Sequence, residues 1–165
     1  MECILDYCPE HTAQDVAVIS FYGTATGLMI IFAFLSQSKT IRNAALMIAG
    51  VWLFTVLYFF QFNGPNLYLF SIILDGLLAY LFLRMSKAEI FPAVLCCLMI
   101  ADILIATGKL AFWISDYWTI FIFNRTFELS LLYITGAAIY RIRKLKPPER
   151  EFNKAGGNTL KFVTG

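Results

Sequence analysis

Val16 to Ser36 reads VAVISFYGTATGLMIIFAFLS, without one charged side chain. Wound as a helix at about 1.5 Å per residue, it is long enough to cross a hydrocarbon core of about 30 Å. It is apolar all round rather than on one face, as expected where neighbours and solvent are both apolar.

Similar runs follow at about 44–62, 67–83, 91–110 and 117–140, separated by short polar or turn-forming stretches such as NGPN at Asn63 to Asn66. Over its 165 residues the chain is 59% hydrophobic and 15% charged, with a mean hydropathy of +0.71. Soluble domains carry about 25% charged residues, so this chain lacks the polar surface to cover a water-soluble fold. The expected architecture is all-α: a polytopic integral membrane bundle of five transmembrane helices over 1–140, then a basic, largely disordered tail at 141–165.

Orientation follows from the basic residues, which concentrate in short cytoplasmic loops. Lys39, Arg42, Arg84, Lys87 and the whole basic tail fall on one side; only Lys109 and Arg125 do not. The N-terminus is therefore expected outside and the C-terminus in the cytoplasm, in a plasma membrane, or the inner membrane of a bacterium. Trp113, Tyr117, Trp118 and Tyr140 sit where interfacial aromatics belong. Arg141, Arg143, Lys144 and Lys146 crowd the inner end of the last span, where anionic lipid headgroups attract them. The opening MECILDYCPEHTAQD holds Glu2, Asp6, Glu10 and Asp15 but no Lys or Arg; no cleavable signal is expected, and the first span is expected to stay.

The exceptions to this apolar pattern are informative. In FIFNRTFELSLLYI, 121 to 134, Asn124, Arg125 and Glu128 interrupt the fifth span. Translocon-type scales charge about 2.5 to 3.5 kcal/mol for an Asp, Lys or Arg at a helix centre, so such residues are expected to face other helices or water. Helical spacing puts Asn124, Arg125, Glu128, Thr135 and Gly136 on one stripe, Tyr68, Ser71, Asp75 and Ala79 on another, and Asp102 with Lys109 on a third. Asp75, Asp102 and Arg125 lie roughly 10 to 14 Å from the outer ends of their spans and Glu128 about 16 Å. The stripes are expected to converge on a polar layer in the outer half, above an apolar floor, with Arg125 bridging Glu128 and an aspartate.

That layer admits three readings: structural ion pairs fixing helix packing or assembly, a proton, cation or small-ligand site, or a pore formed on oligomerisation. The first makes the chain a structural or accessory subunit, the second a transporter or channel, and a holin-like permeabilising protein is a further alternative. Gly23 and Gly27 form a GxxxG pattern for close helix packing, within the chain or in a homo-oligomer or with another membrane protein.

Cys3 and Cys8, on the outer side, are chemically able to form a disulfide. No metal spacing, cofactor motif or catalytic motif is present; His11 is the single histidine. Asp75 and Asp102 on consecutive spans resemble the aspartates of intramembrane aspartyl proteases, but the GxGD motif of those families is missing, and no enzyme is expected. A net charge of +2 gives no reason to expect nucleic acid. SKAE at Ser86 to Glu89 reads as a capping box for the fourth helix, and Pro92 as either a first-turn residue or a kink.

Overall fold

The computed structural model describes residues 9–62, 67–87 and 89–145; Cys3, Cys8, the NGPN turn and the chain from Lys146 onward lie outside them. Five helices run in sequence: α1 Pro9–Leu35, α2 Lys39–Phe62, α3 Leu67–Met85, α4 Ile90–Leu110 and α5 Asp116–Leu145. Four of them, α1 to α4, are long and apolar enough to cross a membrane. A multi-helix membrane bundle is the architecture that this length and composition support. The helix α5 has 30 residues, but Arg125 and Glu128 interrupt its apolar run.

Helix boundaries differ from the sequence reading where local polar chemistry decides them. In α2 the helix starts at Lys39 rather than near Ala44, because Ser38 precedes it and its hydroxyl accepts from the Ile41 amide at 3.5 Å, the geometry of an N-cap. Ser36 ties down the preceding end by donating to the Ala33 carbonyl at 2.7 Å, and Gln37 between them takes φ 55°. The expected capping box at Ser86 does not form. Ser86 instead donates backward to the Leu83 carbonyl at 2.7 Å, and Glu89, extended at φ −146°, is the N-cap residue of α4 with no side-chain cap bond. Pro92 falls in the first turn of α4, where its missing N–H has no intrahelical acceptor to lose.

The turn from α4 to α5 is a Schellman motif. The Trp113 amide donates to the Gly108 carbonyl at 2.9 Å and the Phe112 amide to the Lys109 carbonyl at 3.0 Å, with Phe112 at φ 60°. Ile114 folds over Gly108 so closely that a Cβ there would lie 2.9 Å from its Cδ1. An alanine there requires the Ile114 side chain to shift.

Consecutive helices pack on one another, most extensively α3 on α4, and α5 returns to contact both α1 and α2. Short connections favour this up-and-down order. The packed core lies wholly at the end carrying the α1–α2 and α3–α4 turns. It is built around Met29, Ala33, Ala44, Ala45, Phe82, Leu95, Ile134 and Ala138. Alanines at Ala33, Ala44, Ala45, Ala79 and Ala138 let the backbones approach, and the Cys96 thiol donates to the Ala79 carbonyl of α3 at 3.3 Å.

Most hydroxyls along the helices satisfy themselves locally, as lipid favours; the buried Thr26 hydroxyl is an exception, with no partner among the described residues. Thr24, Thr55, Thr107, Thr119, Thr126 and Ser130 each donate to the carbonyl four residues back.

Two substitutions test this local accounting by thermal unfolding in detergent. Gln37→Gly, removing a side chain from a left-handed backbone, should raise stability by about 1 kcal/mol. Gly108→Ala should lower it by about 1 to 3 kcal/mol through overpacking against Ile114.

Candidate functional site: an outer cavity with two carboxylates

Away from the packed end a cavity of about 400 Å³ opens between all five helices. Its floor is Ile48, Leu78 and Met99, residues that also border the core. Its rim is Val18, Val56, Tyr68 and Ile120, at the end bearing the α2–α3 and α4–α5 connections. Aromatic and aliphatic side chains make most of the wall. Trp52 of α2 and Phe127 of α5 stack at 6.3 Å with planes 13° apart, and Tyr22 of α1 meets Phe127 edge-on at 5.6 Å. Tyr68 and Phe123 face each other at 6.4 Å.

Into this apolar space project Asp75 from α3 and Asp102 from α4. Each is eight residues from the rim end of its helix, about 12 Å in. The Ser71 hydroxyl, one turn earlier on α3, donates to Asp75 Oδ2 at 2.7 Å. Asp102 is 7% exposed, and its Oδ1 has no hydrogen-bond partner. Thr126 of α5 lies across the interface within reach of this carboxyl group, yet its single hydroxyl proton goes to the Ile122 carbonyl at 3.1 Å. The two aspartates are close enough to interact electrostatically, and neither has a cationic partner among the described residues.

The structure separates residues that helical spacing had grouped. Asp75, Asp102 and Asn124 line one cavity, whereas Arg125 and Glu128 lie outside its lining. Arg125 donates to Glu128 Oε2 on its own helix, with side chains 57% and 27% exposed respectively, and its guanidinium lies 5.3 Å from the Phe121 ring centroid. Tyr22 donates to Glu128 Oε1 at 2.9 Å, so this polar cluster links α1 to α5. Among the described residues no guanidinium bridges to an aspartate. Lys109 sits at the rim, 6.0 Å from the Tyr68 ring centroid.

Gly23 packs toward Trp52, whose Cη2 would lie 3.5 Å from an added Cβ, while Gly27 has nothing within 4 Å; the two glycines do not form one close helix contact within the chain. At the opposite end, Arg141 and Lys144 join Ser38, Glu89 and Tyr140 around a second, smaller cavity of about 220 Å³. Lys144 Nζ lies 4.8 Å from the Tyr140 ring centroid. Arg143 is exposed on the last turn of α5.

Three contributors to the site were not evident from the sequence. Tyr22 and Trp52 look like ordinary span aromatics. Thr126 belongs to a buried face of α5 with Thr119 and Ser130, and the spacing of Thr126 and Ser130 by four residues is a signal that the more conspicuous Arg125 and Glu128 obscure. Compared with known proteins, the chain matches no protein family, no curated protein and no solved structure.

Proposed function

We propose that this is a small multi-pass membrane protein, N-terminus outside, that takes a proton, a cation or a small positively charged solute into its outer cavity, as a carrier or channel does. The observation carrying this reading is that Asp75 and Asp102 meet in one cavity with no counter-charge among the described residues. Structural ion pairs come with their partners, because an unpaired buried charge costs several kcal/mol. Two carboxylates facing open space in an apolar wall instead call for positive charge from outside. The cavity opens at the end that the basic residues assign to the exterior, and the core closes it from the cytoplasmic side. No catalytic step is part of this reading.

The full chain reconstituted in liposomes tests it, with an internal pH dye and imposed proton or potassium gradients. Flux should exceed that of empty vesicles. Asp102→Asn, which removes a charge-assisted contact worth about 1.5 to 3 kcal/mol, should lower it by about tenfold or more. Vesicles that stay tight under every gradient overturn the reading.

A structural role is favoured separately for Tyr22, Arg125 and Glu128. These residues tie α1 to α5, and a guanidinium 57% exposed on a helix of the bundle asks for cover by a second copy or another membrane protein. Replacing Arg125 or Glu128 singly with leucine should reduce accumulation and assembly, since each leaves its partner unpaired. The double replacement should recover them. Equal accumulation of both single variants and the wild type, measured by size-exclusion chromatography in detergent, counts against this role.

A further inference from the structure

We infer that the occupant of the outer cavity is an organic ammonium ion bearing an N–H and an aromatic or aliphatic body, not a bare metal ion. The inference rests on the cation reading above and narrows its chemistry.

Volume is the first argument. About 400 Å³ falls within the roughly 300 to 1,000 Å³ of small-molecule sites. A hard cation such as calcium is gripped by about six to eight oxygens at about 2.3 to 2.6 Å, and among the described residues no group of three or more His, Cys, Asp or Glu side chains is placed to hold a metal. The cavity is too wide for such a cage to close on a bare ion.

The wall supplies the second argument. Trp52 and Phe127 present a stacked aromatic surface at 6.3 Å, with Tyr68 and Phe123 beside it. Aromatic faces attract ammonium groups and shelter apolar bodies alike. For a hydrated inorganic ion they offer no ligand atoms.

Hydrogen bonding decides the head group. Asp102 is 7% exposed, lines the cavity, and its Oδ1 accepts from nothing. A buried acceptor without a donor costs free energy until one arrives. A protonated primary, secondary or tertiary amine brings both the positive charge and the N–H. A quaternary ammonium brings only the charge, and an alcohol of the same shape only a neutral donor. With Asp75 already accepting from Ser71, Asp102 is the anchoring carboxylate and Asp75 adds to the local negative field.

The test uses the full chain in lipid nanodiscs, with Trp113 and Trp118 replaced by phenylalanine so that Trp52 alone reports. Phenethylammonium should change Trp52 emission saturably. The N,N,N-trimethyl analogue and phenethyl alcohol should each bind about tenfold or more weakly, the loss expected for one charge-assisted hydrogen bond. Asp102→Asn should weaken phenethylammonium by a similar factor, and Asp75→Asn by less. The comparison of the three ligands on protein retaining both aspartates decides the matter even if the aspartate variants fold poorly. Equal binding of alcohol and amine overturns the inference. So does phenethylammonium that fails to bind while proton or potassium flux dependent on Asp102 persists in liposomes, and in that case the broader cation reading survives. Loss of both binding and flux overturns both.

Discussion

Close approach of the helix backbones at the end carrying the α1–α2 and α3–α4 turns is the constraint on which the rest of the molecule depends. Lipid tails are as apolar as the side chains they meet, so burial alone gives little reason for helices to associate; packing density and interhelical hydrogen bonds must do it. Alanines on α1, α2, α3 and α5 provide the density, and the Cys96 thiol reaching the Ala79 carbonyl joins the most extensive interface, between α3 and α4. The core residues Ile48, Leu78 and Met99 are also the floor of the cavity, so the packed end sets where the open space begins.

The polar groups sort themselves by whether they can be satisfied within their own helix. Most of the described threonine and serine hydroxyls return to carbonyls one turn back, and Arg125 closes on Glu128 three residues on, so neither requires a neighbouring helix for its main bond. Asp75 is half-satisfied in the same way by Ser71. Asp102 has no donor on its own helix, and Thr126 opposite spends its proton on Ile122. Asp102 and the buried Thr26 hydroxyl are therefore the groups left unsatisfied among the described residues, and of the two only Asp102 lines the cavity. Charge separation has the same origin: Arg125 is held by Glu128, which also accepts from Tyr22, on the α1–α5 side, and among the described residues no cation pairs with either aspartate.

Much of this was legible in the sequence because it depends on composition and spacing. Predominantly apolar runs of span length give the helices, and helical periodicity puts Ser71 with Asp75 and places Asp75 and Asp102 at matching depth. The contrast between an apolar inner half and a polar outer half is equally a property of residue order. What could not be read is which way a stripe faces. On α5, Asn124 and Arg125 are adjacent, separated by only about 100°, yet one borders the cavity and the other lies outside it. That angle is set by contacts with three other helices at once, and no single-helix pattern contains it. The Ser38 cap and the left-handed Gln37 were hidden for a different reason. They depend on a turn of three residues, where one hydroxyl decides the start of a helix against a hydrophobicity signal that begins later.

The distribution of interfaces also constrains how such a molecule can move. The pair α3 and α4 share a much larger surface with each other than either shares with α2 or α5, so they shift most easily as one body. Asp75 and Asp102 both ride on that body, while Trp52, Phe127 and Tyr22 belong to the helices facing it. A displacement between the two groups changes the distance from carboxylates to aromatic wall without breaking the α3–α4 contact. The floor residues, Ile48 of α2 against Leu78 of α3 and Met99 of α4, lie across the same divide. Any path from the cavity through the packed end must therefore separate the surfaces that also define the site, and in a carrier this couples occupancy at Asp102 to the seal beneath it. On the proposed carrier reading, closed packing below and an unsatisfied acceptor above act as one device, because positive charge arriving at Asp102 changes the attraction between the bodies that hold the floor shut.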